Sequence, residues 1–106
     1  MQKILIGTTR EFAKYPTKRY SVKGHDILVS HVGDKFFATD ALCTHEEVSL
    51  SEGTLEGPII TCAAHGAQFD VRTGEAQRFP AVEGLRTYPL VVEGEHIYIL
   101  FEAAEK

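Results

Sequence analysis

Cys43-Thr44-His45 and, further along the chain, Cys62-Ala63-Ala64-His65-Gly66 are the two segments that contain every cysteine of the protein. The chain has only 2 cysteines, and each one is followed within three positions by a histidine. Two thiolates and two imidazoles together make a complete four-ligand metal site. The sequence therefore predicts one metal centre whose ligands are Cys43, His45, Cys62 and His65.

Two kinds of metal centre are compatible with these donors. Zinc accepts two cysteines and two histidines, but its small sites usually take a cysteine pair from one loop and a histidine pair from the other. Here each loop offers one cysteine and one histidine. That pairing suits a 2Fe–2S cluster in which one iron takes both thiolates and the other takes both imidazoles. A structural zinc site in a protein-interaction module stays open as the alternative.

The two loops resemble those of the Rieske family, whose motif is Cys-x-His and, roughly fifteen to seventeen residues later, Cys-x-x-His. The second loop continues as 65-HGAQFD-70 and then Thr73-Gly74, which is similar to the family's His-Gly-x-x-aromatic-Asp and Thr-Gly run. The resemblance extends from about Gly24 to Phe101. It implies that Cys43 and Cys62 bind the inner iron, and that His45 and His65 bind the outer iron at the protein surface.

The same resemblance predicts a low reduction potential. Rieske potentials span roughly −150 to +300 mV. Respiratory Rieske proteins place a serine and a tyrosine, both hydrogen-bond donors to cluster sulfurs, where this chain has Ala67 and Phe69. They also have a bracing disulfide at the positions of Val48 and Ala64. Because the donors are missing, we expect a potential near the end of the range at about −150 mV.

Two residues of the second loop have further expected roles. Gly66 directly follows a predicted ligand, and we expect it to let the backbone approach the cluster, since glycine has no Cβ. Phe69 is expected to be an ordinary core residue. His25, His31 and His96 have no cysteine neighbour and are expected to be strand or turn histidines.

Length and composition indicate one domain that is not embedded in a membrane. The 106 residues leave room for one core, and no apolar run approaches the length of a membrane span. The first ten residues predict a strand and not a signal peptide. A formal net charge of −4 makes nucleic acid and anionic membranes poor partners. With both cysteines assigned to a metal, no disulfide is available, so we expect a cytoplasmic protein.

Strand patterns dominate the chain, and turn residues recur at the spacing of a small all-β sandwich. At most one turn of helix is expected, at Ser49–Gly53. The resemblance implies a single Rieske domain over 1–106, with an antiparallel β-sandwich framework at about 1–40 and 80–106. A small cluster-binding subdomain is expected at about 41–79. The expected strands are 3–7, 18–23, 25–32, 36–40, 54–56, 59–61, 68–71, 75–78, 85–92 and 96–101.

A bare domain of this kind leaves no room for a substrate pocket or a second cofactor. The resemblance implies a monomeric one-electron carrier similar to the Rieske-type ferredoxins of ring-hydroxylating dioxygenase systems. Such a carrier takes electrons from an NAD(P)H-dependent flavin reductase and passes them to a terminal oxygenase, and catalysis belongs to those partners. Glu46 and Glu47 either face basic residues of a partner or form a merely solvated surface.

Three other functions stay open at the level of the sequence. The chain could be the small subunit of an assimilatory nitrite reductase, which has a related fold. It could be a carrier that serves some other monooxygenase. An enzyme with a cysteine nucleophile and a neighbouring histidine would require a thiol that is not bound to a metal.

Overall fold

The computed structural model describes residues 2–42, 49–63, 66–78 and 84–101. Within them the chain forms strands and two short 3-10 helices, Thr9–Phe12 and Leu50–Glu52. The strands are β1 (Gln2–Thr8), β2 (Thr17–Val22), β3 (His25–Val32), β4 (Lys35–Asp40), β5 (Thr54–Glu56), β6 (Ile59–Thr61), β7 (Gln68–Asp70), β8 (Ala76–Arg78), β9 (Thr87–Tyr88), β10 (Leu90–Glu93) and β11 (His96–Phe101).

These strands form three antiparallel sheets. The first has the order β1-β11-β10, the second β2-β3-β4-β9, and the third β5-β6-β7-β8. Every pairing between neighbouring strands is antiparallel. The predicted all-β antiparallel fold is therefore confirmed, and so is the single helical turn near Ser49–Gly53. The second helical turn, at Thr9–Phe12, was not predicted.

Strand β3 separates two hydrophobic cores. Its sequence is apolar at consecutive positions, and Ile27, Leu28 and Val29 are all completely buried. Since successive side chains of a strand point to opposite faces, Ile27 and Val29 enter one core and Leu28 enters the other. The strand is therefore covered on both faces.

The two cores differ in the sheets that form them. The framework core lies between the first two sheets and contains Phe12, Val22, Ile27, Val29, Ala38, Tyr88, Ile97, Ile99 and Phe101. The second core, which we call the Cys62 core, contains Leu28, Ala41, Leu50, Ile60, Cys62, Ala67, Phe69, Val71 and Leu85. Cys62 is thus one of the apolar side chains on which the third sheet packs.

The third sheet is built entirely by the segment predicted to form the inserted subdomain. Strands β5 and β6 have the predicted bounds, and β7 and β8 pair across the predicted turn at 72–74. The limits of the subdomain, at about 41 and 79, stay a prediction, and Phe79 itself lies outside the described residues. One-residue differences occur at Lys23, Val71 and Glu75, which lie in turns or irregular chain instead of strands.

The single strand predicted over Leu85–Val92 is wrong. The chain is divided at Pro89 into β9, which pairs with β4, and β10, which pairs with β11. Proline has no N–H to donate to a ladder, while the Pro89 carbonyl still accepts a hydrogen bond from the Leu100 amide at 2.9 Å. Pro89 therefore marks the point at which the chain crosses from the second sheet to the first.

Candidate metal centre

Of the four predicted ligands, the structure describes Cys62. This residue directly follows β6, and its side chain is only 3% exposed within the Cys62 core. Cys43, His45 and His65 lie outside the described residues. So do Glu46, Glu47, Val48 and Ala64, on which the expectations about a partner surface and a missing disulfide depend.

The loop that begins at Cys62 is closed by its own backbone. The Cys62 amide donates a hydrogen bond to the Ala67 carbonyl at 2.7 Å, and the Gly66 amide donates to the Cys62 carbonyl at 3.1 Å. Gly66 has a φ of 76°, a left-handed conformation that glycine adopts without the strain of a Cβ. The Gly66 N–H is therefore already engaged within the loop. The close approach of the Gly66 backbone to a cluster stays a prediction.

Ala67 and Phe69 form the apolar wall that follows this loop. Both side chains are completely buried, and Phe69 lies opposite Ile60 in the β6–β7 ladder. The expectation that Phe69 belongs to the core is confirmed. Neither residue has a hydroxyl, so neither side chain can offer an O–H hydrogen bond next to Cys62.

The turn after β7 is fixed by Asp70. Its carboxylate accepts two hydrogen bonds from the Arg72 guanidinium, at 3.1 and 2.8 Å, and one from the Arg72 amide at 2.9 Å. The Asp70 carbonyl also accepts from the Gly74 amide at 2.6 Å. The hydrogen bonds from Arg72 lower the pKa of the Asp70 carboxyl. Asp70, Thr73 and Gly74 therefore form the turn between β7 and β8.

Two glycines beside this site allow another segment of the backbone to approach closely. A Cβ on Gly53 would collide with the carbonyl of Thr61, the residue before Cys62. A Cβ on Gly74 would collide with the carbonyl of Leu85, whose amide donates a 2.6 Å hydrogen bond to the Gly74 carbonyl. The close approach of these segments therefore requires glycine at both positions.

The other histidines pack on aromatic rings. His31 stacks on Phe36 with a ring separation of 4.3 Å, and His25 contacts the Phe101 ring edge-on at 5.0 Å. His25, His31 and His96 all lie in strands, as expected. In the described ranges, no three His, Cys, Asp or Glu side chains come together as a group that could hold a metal.

One cluster of side chains was missed by the sequence reasoning. The Asp40 carboxylate accepts hydrogen bonds from the Tyr88 hydroxyl at 2.6 Å and from the Arg86 amide at 3.3 Å. These partners are 48 and 46 positions away in sequence. No local motif connects residues so far apart, and only the fold brings them together.

Residues 2–89 match the Rieske [2Fe-2S] domain, and the chain therefore belongs to the Rieske family. It is similar to the biphenyl 2,3-dioxygenase ferredoxin component of Rhodococcus jostii strain RHA1, with 42% identity over 84 residues. That match covers 79% of this chain and 78% of the relative.

Two solved structures are similar over almost their full length. The ferredoxin of carbazole 1,9a-dioxygenase from Nocardioides aromaticivorans IC177 has a TM-score of 0.88 at 30% identity, covering 93% of this chain and 97% of that one. A complex of reduced oxygenase and oxidized ferredoxin in carbazole 1,9a-dioxygenase also gives a TM-score of 0.88, at 31% identity, covering 98% and 97%.

Membership of the family implies one Rieske-type 2Fe–2S cluster, and the described residues fit it. A buried cysteine opens a backbone-closed loop with a left-handed glycine, and apolar side chains line its inner side. The cluster supersedes zinc as the interpretation of the donor set. No helix in the described ranges is long and apolar enough to cross a membrane.

Proposed function

We propose that Cys43, His45, Cys62 and His65 bind the 2Fe–2S cluster, with the two cysteines on one iron and the two histidines on the other. The buried position of Cys62 supports its assignment to the inner iron. The matched family region includes all four residues. When bound, the cluster accepts and releases one electron at a time.

The residues around Cys62 determine the polarity next to the cluster, and therefore influence its reduction potential. Burial of Cys62 keeps water from the inner side of the centre, and Ala67 and Phe69 present only apolar groups there. A reduced cluster carries more negative charge, and hydroxyl donors would stabilise that charge preferentially. Their replacement by apolar side chains supports a potential near the low end of the family range, at about −150 mV.

We further propose that the chain carries electrons from an NAD(P)H-dependent flavin reductase to a terminal oxygenase. The observation that supports this proposal best is the 42% identity to a ferredoxin component across 79% of the chain. It favours this role over that of a nitrite reductase small subunit. We place the carrier in the cytoplasm as a monomer, with a framework at about 1–40 and 80–106 and a cluster-binding subdomain at about 41–79.

Replacing each predicted ligand tests the cluster assignment. We expect Cys43→Ser and Cys62→Ser to abolish cluster assembly, measured as iron and acid-labile sulfide per chain. His45→Cys and His65→Cys should change the electron paramagnetic resonance spectrum, because each substitution puts a thiolate in place of an imidazole. The replacement His96→Ala is a matched control, since His96 lies in β11. An unaltered spectrum in a His45 or His65 variant would remove that residue from the ligand set.

Stopped-flow mixing tests the carrier role. The oxidised protein should be reduced by the reductase of a biphenyl 2,3-dioxygenase system, taking up one electron per chain. It should then be reoxidised by the matching oxygenase in the presence of substrate. If the protein instead forms a stable complex with a nitrite reductase large subunit and exchanges no electrons with the oxygenase, the alternative function is correct.

Glu46 and Glu47 offer a test of how a partner is recognised. If they face basic residues of the reductase, reversing both to lysine should slow reduction by that reductase. The salt dependence of the rate should weaken as well, because attraction between exposed charges is screened by ions. Reversing Glu52 and Glu56, which are both exposed, changes the net charge by the same amount and is the matched control. Equal rates in the two variants would assign Glu46 and Glu47 to a merely solvated surface.

A further inference from the structure

Asp40 connects the chain that leads into the cluster-binding segment with the chain that returns from it. It is the last residue of β4, and its amide donates to the Arg86 carbonyl at 2.9 Å. Its carboxylate accepts from the Arg86 amide and the Tyr88 hydroxyl, as described above. Asp40 therefore makes three hydrogen bonds to the returning segment, two of them through its side chain.

Tyr88 is a rigid donor for this carboxylate. Its side chain is 6% exposed, its ring stacks on Phe101 at 5.8 Å, and the Arg86 guanidinium lies 4.8 Å from the ring centre. Burial and the hydrogen bond to Asp40 raise the pKa of Tyr88, so its hydroxyl remains protonated at ordinary pH. The Tyr88 hydroxyl is therefore the donor in this hydrogen bond.

The sequence neighbours of Asp40 and Arg86 are buried in the Cys62 core. Ala41, which follows Asp40, is completely buried there, and its amide and carbonyl are held by Asp26 and Leu50 at 3.0 and 2.7 Å. Leu85, which precedes Arg86, is buried in the same core. Tyr88 belongs to the framework core. The Asp40 carboxylate thus lies where the two cores meet.

We propose that Asp40 is a positioning residue for the metal centre, acting through its hydrogen bonds to Tyr88 and Arg86. By holding the two crossing segments together, it fixes Ala41 and Leu85 against the core that contains Cys62. Loss of these bonds loosens the apolar wall around Cys62 and opens the centre to water and chelators. This inference rests on the proposed function, since it takes Cys62 to be a cluster ligand.

The framework contains a matched pair that allows a controlled test. The Tyr20 hydroxyl donates to the Glu11 carboxylate at 2.7 Å, and Glu11 also accepts from the Thr8 amide at 3.1 Å. This pair joins the chain after β1 to β2 and involves no residue of the Cys62 core. Tyr20→Phe and Glu11→Gln therefore remove a bond between the same two kinds of group, at a more exposed position outside the Cys62 core.

The experiment compares Tyr88→Phe and Asp40→Asn with Tyr20→Phe and Glu11→Gln in the cluster-loaded protein. Iron release to a chelator, the midpoint potential and the electron paramagnetic resonance line shape are measured, together with Tm. A typical hydrogen bond is worth about a fivefold change in an equilibrium constant. We expect iron release to be about fivefold faster in the first pair, with a shifted potential or broadened lines. The second pair should lower Tm and leave all three cluster properties unchanged.

Each outcome decides between named alternatives. If Tyr88→Phe and Tyr20→Phe lower Tm alike and neither affects the cluster, Asp40 has only a structural role and the proposal fails. If Asp40→Asn does not fold, Tyr88→Phe still decides the question, because it keeps the ring stacking and removes one bond. If the unmodified protein itself shows no Rieske-type signal, the proposed function fails, and that result is distinguishable from failure of the positioning role.

Discussion

The framework, made of the first two sheets, and the third sheet differ in the length of their strands. Strands β3 and β11 of the framework have 8 and 6 residues, whereas each of the strands β5 to β8 has 3. A long strand makes many ladder hydrogen bonds and buries alternating side chains along its length. Three-residue strands make few of either. The third sheet must therefore depend on additional interactions that the framework does not need.

The structure shows what those additional interactions are. The segment carrying Cys62 is held by a backbone-closed loop, by the Asp70–Arg72 turn, and by glycine-dependent crossings at Gly53 and Gly74. Metal ligation adds to these, because binding free energy at a site absent from the unfolded chain is folding free energy. A stable sandwich thus supports a small region whose order depends on close backbone contacts and on its cofactor.

The largest expected effect comes from Cys62→Ser. It should abolish the cluster and lower amide-exchange protection in β5 to β8, while β3 and β11 stay protected, because only the third sheet depends on the metal. Hydrogen exchange resolved by strand measures this difference. Ser30→Ala is the control, since Ser30 is completely buried in β3 and its hydroxyl has no hydrogen-bond partner in the described part of the chain. Equal protection of all strands in the Cys62 variant would contradict the comparison.

Gly74→Ala should have the next largest effect. Gly74 has a φ of 82°, and a Cβ would meet the Leu85 backbone, so we expect a loss of about 2–5 kcal/mol from backbone strain and overpacking together. Gly33→Ala is the framework control, with a φ of 62° and open space around the new Cβ. It should cost about 1–2 kcal/mol. Denaturant midpoints of the two variants measure these losses in the free energy of unfolding. Similar losses would show that the close approach of Gly74 to Leu85 is unimportant for stability.

Phe69→Tyr should raise the midpoint potential. If the new hydroxyl donates to the cluster, as its counterpart does in respiratory Rieske proteins, a bond worth about 1–2 kcal/mol more in the reduced state gives a rise of ~40–90 mV. Ala67→Ser should act in the same direction. Phe36→Tyr, in framework strand β4, should leave the potential unchanged in a redox titration. An unshifted potential in both loop variants would show that the missing hydroxyl donors do not determine the midpoint potential.

The smallest expected effect concerns acid stability. The Arg72 hydrogen bonds lower the pKa of Asp70, so the unfolded state binds a proton more readily than the native state. The stabilisation is complete above the ordinary pKa of an aspartate and is lost as pH falls through the lower native pKa. Asp70→Asn should flatten this acid limb, with a change below about tenfold in the unfolding constant at neutral pH. Unfolding curves measured from pH 7 to pH 2 would show an unchanged limb if the turn contributes nothing.

The sequence predicted the short strands well because they are bounded by turn residues. Strands β5 and β6 were placed at their observed residues on either side of Gly57-Pro58. The division at Pro89 was missed because a single residue separates β9 from β10, so the two strands read as one. The change of sheet depends on which partner each half meets, and that is a property of the fold.

The kind of cofactor could be predicted from the sequence. The contacts that hold the surrounding segments in place could not. The Cys-x-His and Cys-x-x-His spacing identifies a donor set, since ligands of one loop must lie close together in sequence. The Asp40–Tyr88 bond and the Gly74–Leu85 crossing join residues that are distant in the chain. Neither a hydrophobic periodicity nor a local motif predicts contacts between residues so far apart.

The most direct measurement is an electron paramagnetic resonance spectrum of the dithionite-reduced protein. In the proposed ligand set, two imidazoles on one iron and two thiolates on the other make the irons unequal, so we expect a rhombic signal with an average g below the free-electron value. That result would establish a mixed cysteine and histidine ligation of one 2Fe–2S cluster. A protein that remains silent and colourless after reconstitution with iron and sulfide would contradict it.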